Sequence, residues 1–231
     1  MMARTDSGGG RTVFVNARLI DPASGLDATG ALVVADGRIA SVRPGDTLTA
    51  HADAEIIDCG GHLLTPGLID AQVFSGEPGF EHRETLGSAS RAAAAGGVTT
   101  MICRPDTDPV IDEAALVDYF ARRARDTAVV NAYPMAALTQ GLEGGVMTEI
   151  GLLREAGAIA FTDGTMPVAN PAVMRQALTY ARNFDALVVA RPMDRQLAAG
   201  GVMNEGEISA RLGLPGAAAT AEVVMVERDM R

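Results

Sequence analysis

The side chains in this chain that could ligate a metal or move a proton are few and scattered. There are 3 histidines, His51, His62 and His82, and 2 cysteines, Cys59 and Cys103, in 231 residues. Carboxylates spaced two apart stand at Asp106 and Asp108 and at Glu205 and Glu207. A spacing of two on a strand sends both side chains to one side, so such pairs suggest a cation site. Asp106-Thr107-Asp108-Pro109 is equally good turn chemistry, because short acids before proline hydrogen-bond the local backbone. A turn-forming or solvated role is expected for both pairs. His62 reads as a hydrogen-bonded loop residue, and His82, in Glu81-His82-Arg83-Glu84, as a residue at the start of a helix. Gly144-Gly145 and Gly200-Gly201 lack the spacing of a phosphate loop and read as turns. Each cysteine ends an apolar run and reads as a buried free thiol in a reduced compartment.

Composition excludes several classes. The net charge of −10 and the pI of about 4.7 argue against electrostatic binding of nucleic acid, which needs basic patches to displace counterions. They also disfavour a peripheral binder of anionic membranes. Hydrophobic residues make up 48% of the chain, while aromatics are 4% and Trp is absent. The core must therefore be built from Ala, Val, Leu, Ile and Met. All 19 positive residues are Arg, which reads as coding bias. Residues 1–11 are polar and Gly-rich, read as a disordered tail, and contain no apolar core of a signal peptide. No apolar run reaches membrane-span length, and a cytoplasmic location is expected.

The elements that must position any chemistry fall into two textures. Residues 12–62 carry short strand-like runs at 12–15, continued by 16–20, then 31–34, 38–42 and 55–58. Asp36-Gly37 between two of them is a strong two-residue hairpin signal. These residues are expected to form a small β-domain. Residues 63–231 alternate strand and helix, the pattern of parallel βαβ units. Strands are expected at 63–70, 98–103, 128–134, 158–162 and 186–190. Helices are expected at 84–95, 112–125 with Asp112 as N-cap, 148–156 with Thr148 as cap, 171–184, near 205–212, and 218–231.

Five segments in order then carry a family resemblance. Pro66-Gly67-Leu68-Ile69-Asp70, continuing to Glu77-Pro78-Gly79, resembles the first barrel strand of a dihydroorotase, a metal-dependent amidohydrolase. Ala95-Gly96-Gly97-Val98-Thr99-Thr100 looks like the family's turn into strand two. Arg104-Pro105-Asp106-Thr107 is similar to its Met-Pro-Asn-Thr segment. Gly201-Val202-Met203-Asn204-Glu205-Gly206 and Leu212-Gly213-Leu214-Pro215-Gly216 look like its loop after strand five. The resemblance implies an α/β fold: the N-terminal part of a (β/α)8 TIM-type barrel, about five βα units, preceded by a small β-sandwich-like domain. A complete barrel needs eight units. The chain is therefore expected to be the N-terminal half of a longer pattern, with a β-domain that the family completes by C-terminal strands. Open strand edges in such a half-barrel lead to an expectation of aggregation or pairing with another chain.

The residues at the family's site positions depart from its chemistry. The family uses zinc, held in part by a His-x-His whose two side chains share one side of the strand. In this chain Gln72 and Phe74 stand at those histidines, and Gly76 stands where the family has the Arg that pairs with substrate. Asp163, in Phe161-Thr162-Asp163-Gly164, matches the family's strand-four Asp. Arg191 replaces the histidine after strand five, and a guanidinium stays cationic at any working pH. Asp106 matches the substrate-binding Asn and would repel an anionic substrate. With no Lys, the bridging lysine carbamate of many such enzymes cannot form. No cofactor is expected.

Two functions follow from the resemblance. The first is a non-catalytic dihydroorotase-like protein of de novo pyrimidine biosynthesis, oligomeric, that supports assembly of aspartate transcarbamoylase as inactive homologues do. The second is an active cyclic amidohydrolase with a rearranged metal site drawing on Asp163 and Asp106.

Overall fold

Alternation of side chains along β1 (Arg11–Asp21) builds the first unit: Val13, Val15, Ala17 and Leu19 point inward and are buried. β2 (Leu26–Ala35) pairs antiparallel with β1, and β3 (Arg38–Pro44) pairs antiparallel with β2. β4 (Ala54–Asp58) and the two-residue β5 (Leu63–Leu64) pair parallel with β1. Asp36 and Gly37 take φ of 51° and 69° at the expected hairpin turn. Asn16 has φ 53° where the register with β2 shifts, so the two expected runs at its sides are one strand with a bulge. Val13, Val15, Ala31 and Val33 form a small core. The computed structural model describes residues 10–46 and 54–231. His51 and residues 1–9 of the expected tail lie outside the described residues, while Arg11 opens β1.

The chain divides between Leu68 and Ile69. The second unit winds β6 (Leu68–Val73), α1 (Leu86–Ala95), β7 (Val98–Cys103), α2 (Ala114–Thr127), β8 (Asn131–Ala136), α3 (Ile150–Ala156), β9 (Ala160–Phe161), α4 (Pro171–Ala181) and β10 (Leu187–Val188). The sheet order β10-β9-β8-β7-β6 follows the chain order, so each strand is added beside the one before it. That winding, with a helix between successive strands, is the barrel type: the sheet is a curled parallel half-barrel. Met101, Ile111, Phe120, Leu138, Ile150 and Phe161 anchor its core, built largely without aromatics as expected.

Helix starts follow capping chemistry in part. Thr85 and Ser88 form a reciprocal capping box at α1, and Asn170 accepts from the Ala172 amide with Pro171 in the first turn of α4. Two expected caps are corrected. α2 starts after Glu113, and the Asp112 carboxylate instead accepts the Gly141 N–H at 2.9 Å. α3 starts after Glu149, and the Thr148 hydroxyl donates to the Ala137 carbonyl at 2.7 Å. In both, a backbone partner across the fold outcompetes the local cap. The strand expected at 63–70 is also split: Leu63–Leu64 joins β1, and only Leu68–Val73 enters the parallel sheet. Beyond β10 lie β11 (Met203–Asn204), α5 (Glu207–Leu212), β12 (Gly216–Ala217) and α6 (Thr220–Met230), with β11 and β12 paired parallel. That pair is too short for alternation to announce. Among the described residues no helix is long and apolar enough to cross a membrane.

Candidate functional site

Parallel strands deliver the loops that follow them to one end of their sheet, where such folds do chemistry. Phe74 follows β6, Arg104 and Asp106 follow β7, Leu138 and Thr139 follow β8, Asp163 follows β9 and Arg191 follows β10. The residues singled out from sequence thus converge on the carboxyl end of the sheet. Gln72 lies within β6, exposed, with its backbone N–H donating to Asp70 Oδ1 at 3.2 Å.

At the end of β6 the site is packed with aromatic rings and guanidinium groups. The Phe74 ring has Arg83 Cζ 4.9 Å from its centroid, Arg104 Cζ at 6.0 Å, and the Phe80 ring at 6.0 Å. These are distances at which a cation is attracted to the face of a ring. His82 sits edge-on to Phe80. Arg104 is also forked onto Asp106, Nε to Oδ1 at 3.1 Å and Nη2 to Oδ2 at 3.0 Å. Only about a fifth of either side chain is exposed, 19% and 20%. The two-point geometry makes this a strong, oriented pair. Asp106 therefore does not present a free negative charge, which corrects the expectation of a solvated or repelling acid. On its far side it approaches the loop after β9: a Cβ added to Gly164 would lie 3.3 Å from Asp106 Cγ.

The loop after β6 leaves no room for the family's arginine. Gly76 has φ +67°, and a Cβ there would fall 2.4 Å from the Glu84 carbonyl oxygen. The loop is closed by backbone bonds, Phe80 N–H to Gly76 O at 2.7 Å and Arg83 N–H to Phe80 O at 2.8 Å. Glu77, 1% exposed, accepts from the Leu86 amide at 3.1 Å and from Arg123 Nε, tying the loop to the starts and flanks of α1 and α2.

At the end of β9 the retained acid is hydrogen-bonded through both oxygens. Asp163 is 4% exposed. Its Oδ1 accepts the Leu138 and Thr139 amides at 3.0 and 2.8 Å, and its Oδ2 accepts the Thr139 hydroxyl at 2.5 Å. Burial pushes its carboxyl above the ordinary range, against the three hydrogen bonds that pull it down. Asp163 shares a recess with Arg191, Met166, Val189, Met225 and Arg228. Arg191 itself is exposed. Behind the strands, burial and the nearby Asp70 charge push the Cys103 thiol up to about 12, the signature of an inert core cysteine. Cys59 is only half-buried, which corrects its expected burial.

A zinc ion needs three or four nitrogen, oxygen or sulfur donors converging in fixed geometry. Of the four ligand positions, Phe74 has no donor, Arg191 is a cation, Gln72 is a weak exposed amide, and Asp163 alone carries a carboxylate, whose oxygens already accept three hydrogen bonds from Leu138 and Thr139. Among the described residues no group of three or more His, Cys, Asp or Glu could hold a metal. The residues present do not fit the metal that the resemblance implies. Neither His62 nor His82 stands at a ligand position of the family; His62 Nδ1 contacts the Cys59 carbonyl at 2.6 Å, as a loop histidine should.

Sequence reasoning missed Arg83, Arg104, Glu77 and Thr139. Arg104 carried a signal, since it stands at the Met of Met-Pro-Asn-Thr. Glu77 and Thr139 gain their roles through Arg123 and Asp163, 46 and 24 residues away, and Arg83 through the folding of the loop after β6.

Comparison with known proteins agrees with the geometry of the sheet. The profile of the family described as "Dihydro-orotase-like" matches residues 61–231. A dihydroorotase from Solibacter usitatus is 45% identical over 218 residues, covering 94% of this chain and 50% of that protein. One from Syntrophus aciditrophicus is 44% identical, covering 92% of this chain and 50% of that protein. Among solved structures, an L-hydantoinase (dihydropyrimidinase) from Arthrobacter aurescens superposes with a TM-score of 0.72 at 20% identity, covering 94% of this chain and 49% of that one. This last likeness speaks for the fold alone. The chain spans about half the length of the relatives it matches.

Proposed function

The chain belongs to the dihydro-orotase-like family, and from that premise we propose that it is a non-catalytic member serving de novo pyrimidine biosynthesis by supporting assembly of aspartate transcarbamoylase. The observation that carries this reading is the end of β6. Three departures from the family pattern meet at Arg104, whose guanidinium lies 6.0 Å from the centroid of the Phe74 ring and is forked onto the Asp106 carboxylate. Gly76, a fourth, is built into a loop with no space for a larger residue. Site positions lost to drift would be expected to leave unpaired charges and cavities, whereas these are satisfied.

The active-hydrolase reading needs Asp163 and Asp106 as ligands. The first is committed to Leu138 and Thr139 and the second to Arg104, so both would have to break buried or part-buried bonds to reach a metal. The partner comes from the resemblance, and a cytoplasmic site of action goes with it.

The test is co-purification of the whole protein with the transcarbamoylase, alongside a dihydroorotate turnover assay. A stoichiometric complex with turnover at background is expected. Normal transcarbamoylase assembly in a deletion strain, or metal-dependent turnover by the purified protein, would overturn the proposal.

A further inference from the structure

We infer that the Arg104 guanidinium is a resident cation that closes this site to metal, so that the missing histidines are only half of the barrier. The inference rests on the non-catalytic reading and deepens it. Arg104 lies in a chain of contacts that runs from Phe74 at the end of β6, through Asp106, to Gly164 beside Asp163. Phe74 and Asp163 are two of the family's ligand positions, so the ion pair bridges the space between them. Ring and carboxylate hold the guanidinium from two sides. Its low exposure, 19%, keeps its charge poorly screened by solvent. A dication brought between Phe74 and Asp163 would find the nearby Asp106 carboxylate already neutralised by Arg104, and would have to displace that guanidinium to gain the carboxylate as a ligand. Arg83 also faces the Phe74 ring, but it is exposed, so water and salt damp its field.

Zinc alone, titrated into the whole protein by calorimetry, tests this. The variants are Gln72→His/Phe74→His, the same pair with Arg104→Met, and the same pair with Arg83→Met. The Arg104→Met background is expected to bind zinc at least tenfold tighter than the histidine pair alone, and Arg83→Met to change the affinity by less than threefold. Equal affinity with and without Arg104, no zinc binding in the Arg104→Met background, or an equal gain from Arg83→Met would each overturn the assignment.

Should those variants fail to fold, the parent supplies a second measurement. Arginine modification by phenylglyoxal, mapped by peptide mass, is expected at Arg104 at least tenfold more slowly than at exposed Arg191. Asp106→Asn should raise the Arg104 rate toward that of Arg191. Equal rates in the parent would show that Arg104 is not held. The zinc content of the parent and its association with the transcarbamoylase are separate readouts, so this inference can fail while the non-catalytic reading stands.

Discussion

The ends of β6 and β9 have undergone opposite fates. At β6 the family's donor residues have been replaced, and the replacements pack against one another: Phe74 under Arg83 and Arg104, Arg104 on Asp106. At β9 the family's acid has been kept, yet its oxygens face the backbone of the β8 loop through three hydrogen bonds. A changed residue and an unchanged one therefore arrive at a similar chemical result: the first offers no donor, and the second has its oxygens already holding three hydrogen bonds. Residue identity says less about function than where the lone pairs point. Asp163 is retained here as a brace between two strand ends, and a brace has the same claim to persist as a ligand.

If that contrast is right, restoring the family residue at β6 should damage the fold, whereas neutralising the acid at β9 should not. Gly76→Arg is expected to have the largest effect. It places a side chain at φ +67° with its Cβ 2.4 Å from the Glu84 carbonyl, and strain plus displacement of the loop should cost about 3 kcal/mol or more. Urea denaturation checks this; an unchanged midpoint would mean that the loop is not the closed structure described. Asp163→Ala comes next. It removes the acceptor of the Thr139 amide and hydroxyl and leaves the Leu138 amide only its 3.3 Å bond to the Thr162 carbonyl, at about 2 kcal/mol. Asp163→Asn keeps an oxygen for the Leu138 and Thr139 amides and an amino group for the Thr139 hydroxyl, so a loss below about 1 kcal/mol is expected. A penalty for Asn as large as that for Ala would refute the brace.

The architecture was legible because its signals are local. Asp36-Gly37 specifies a tight turn by its own torsions, and the run at Val98–Cys103 has the length and β-branching of a buried strand. Pro171 behind Asn170 announces a helix start within two residues. The loss of donors was equally plain, because Gln, Phe and Arg cannot do the work of His wherever they point. What sequence could not give was the use made of the survivors. Asp163 and Thr139 are 24 residues apart, and nothing in either segment marks them as partners. Asp112 and Thr148 look like caps locally and are drawn away by Gly141 and Ala137. Arg104 and Asp106 are near in sequence, but their pairing gains meaning only when β6 brings Phe74 beside them.

Phe74→Ala probes the repacked end directly and should be milder than Gly76→Arg or Asp163→Ala. The ring is half-buried, so its removal forfeits part of the burial of a phenyl group and its contacts with Phe80 and the two guanidinium groups. A loss of about 1–2 kcal/mol is expected in thermal or urea melts. No loss at all would make the β6 end loose filler, and the contrast with β9 would vanish.

The smallest expected effect is a slope in pH that belongs to the β9 end alone. Burial raises the Asp163 carboxyl above its ordinary value in the folded state. Below the unfolded value of about 3.9 both states hold the proton, and stability is unaffected by this group. As pH rises past that value the unfolded chain releases its proton first, which favours unfolding, and the loss is complete once pH exceeds the raised folded value. Other carboxylates titrate in the same window, so the wild-type curve by itself is uninformative. Asp163→Asn cannot titrate there, and subtracting its stability from that of the wild type isolates the one group. The difference should turn against the wild type as pH climbs past the unfolded value of about 3.9 and level off above the raised folded value. A difference that runs the other way would mean that the three hydrogen bonds, rather than burial, dominate at Asp163. Its charged form would then be the favoured one, leaving a carboxylate better suited to a cation than the brace described here.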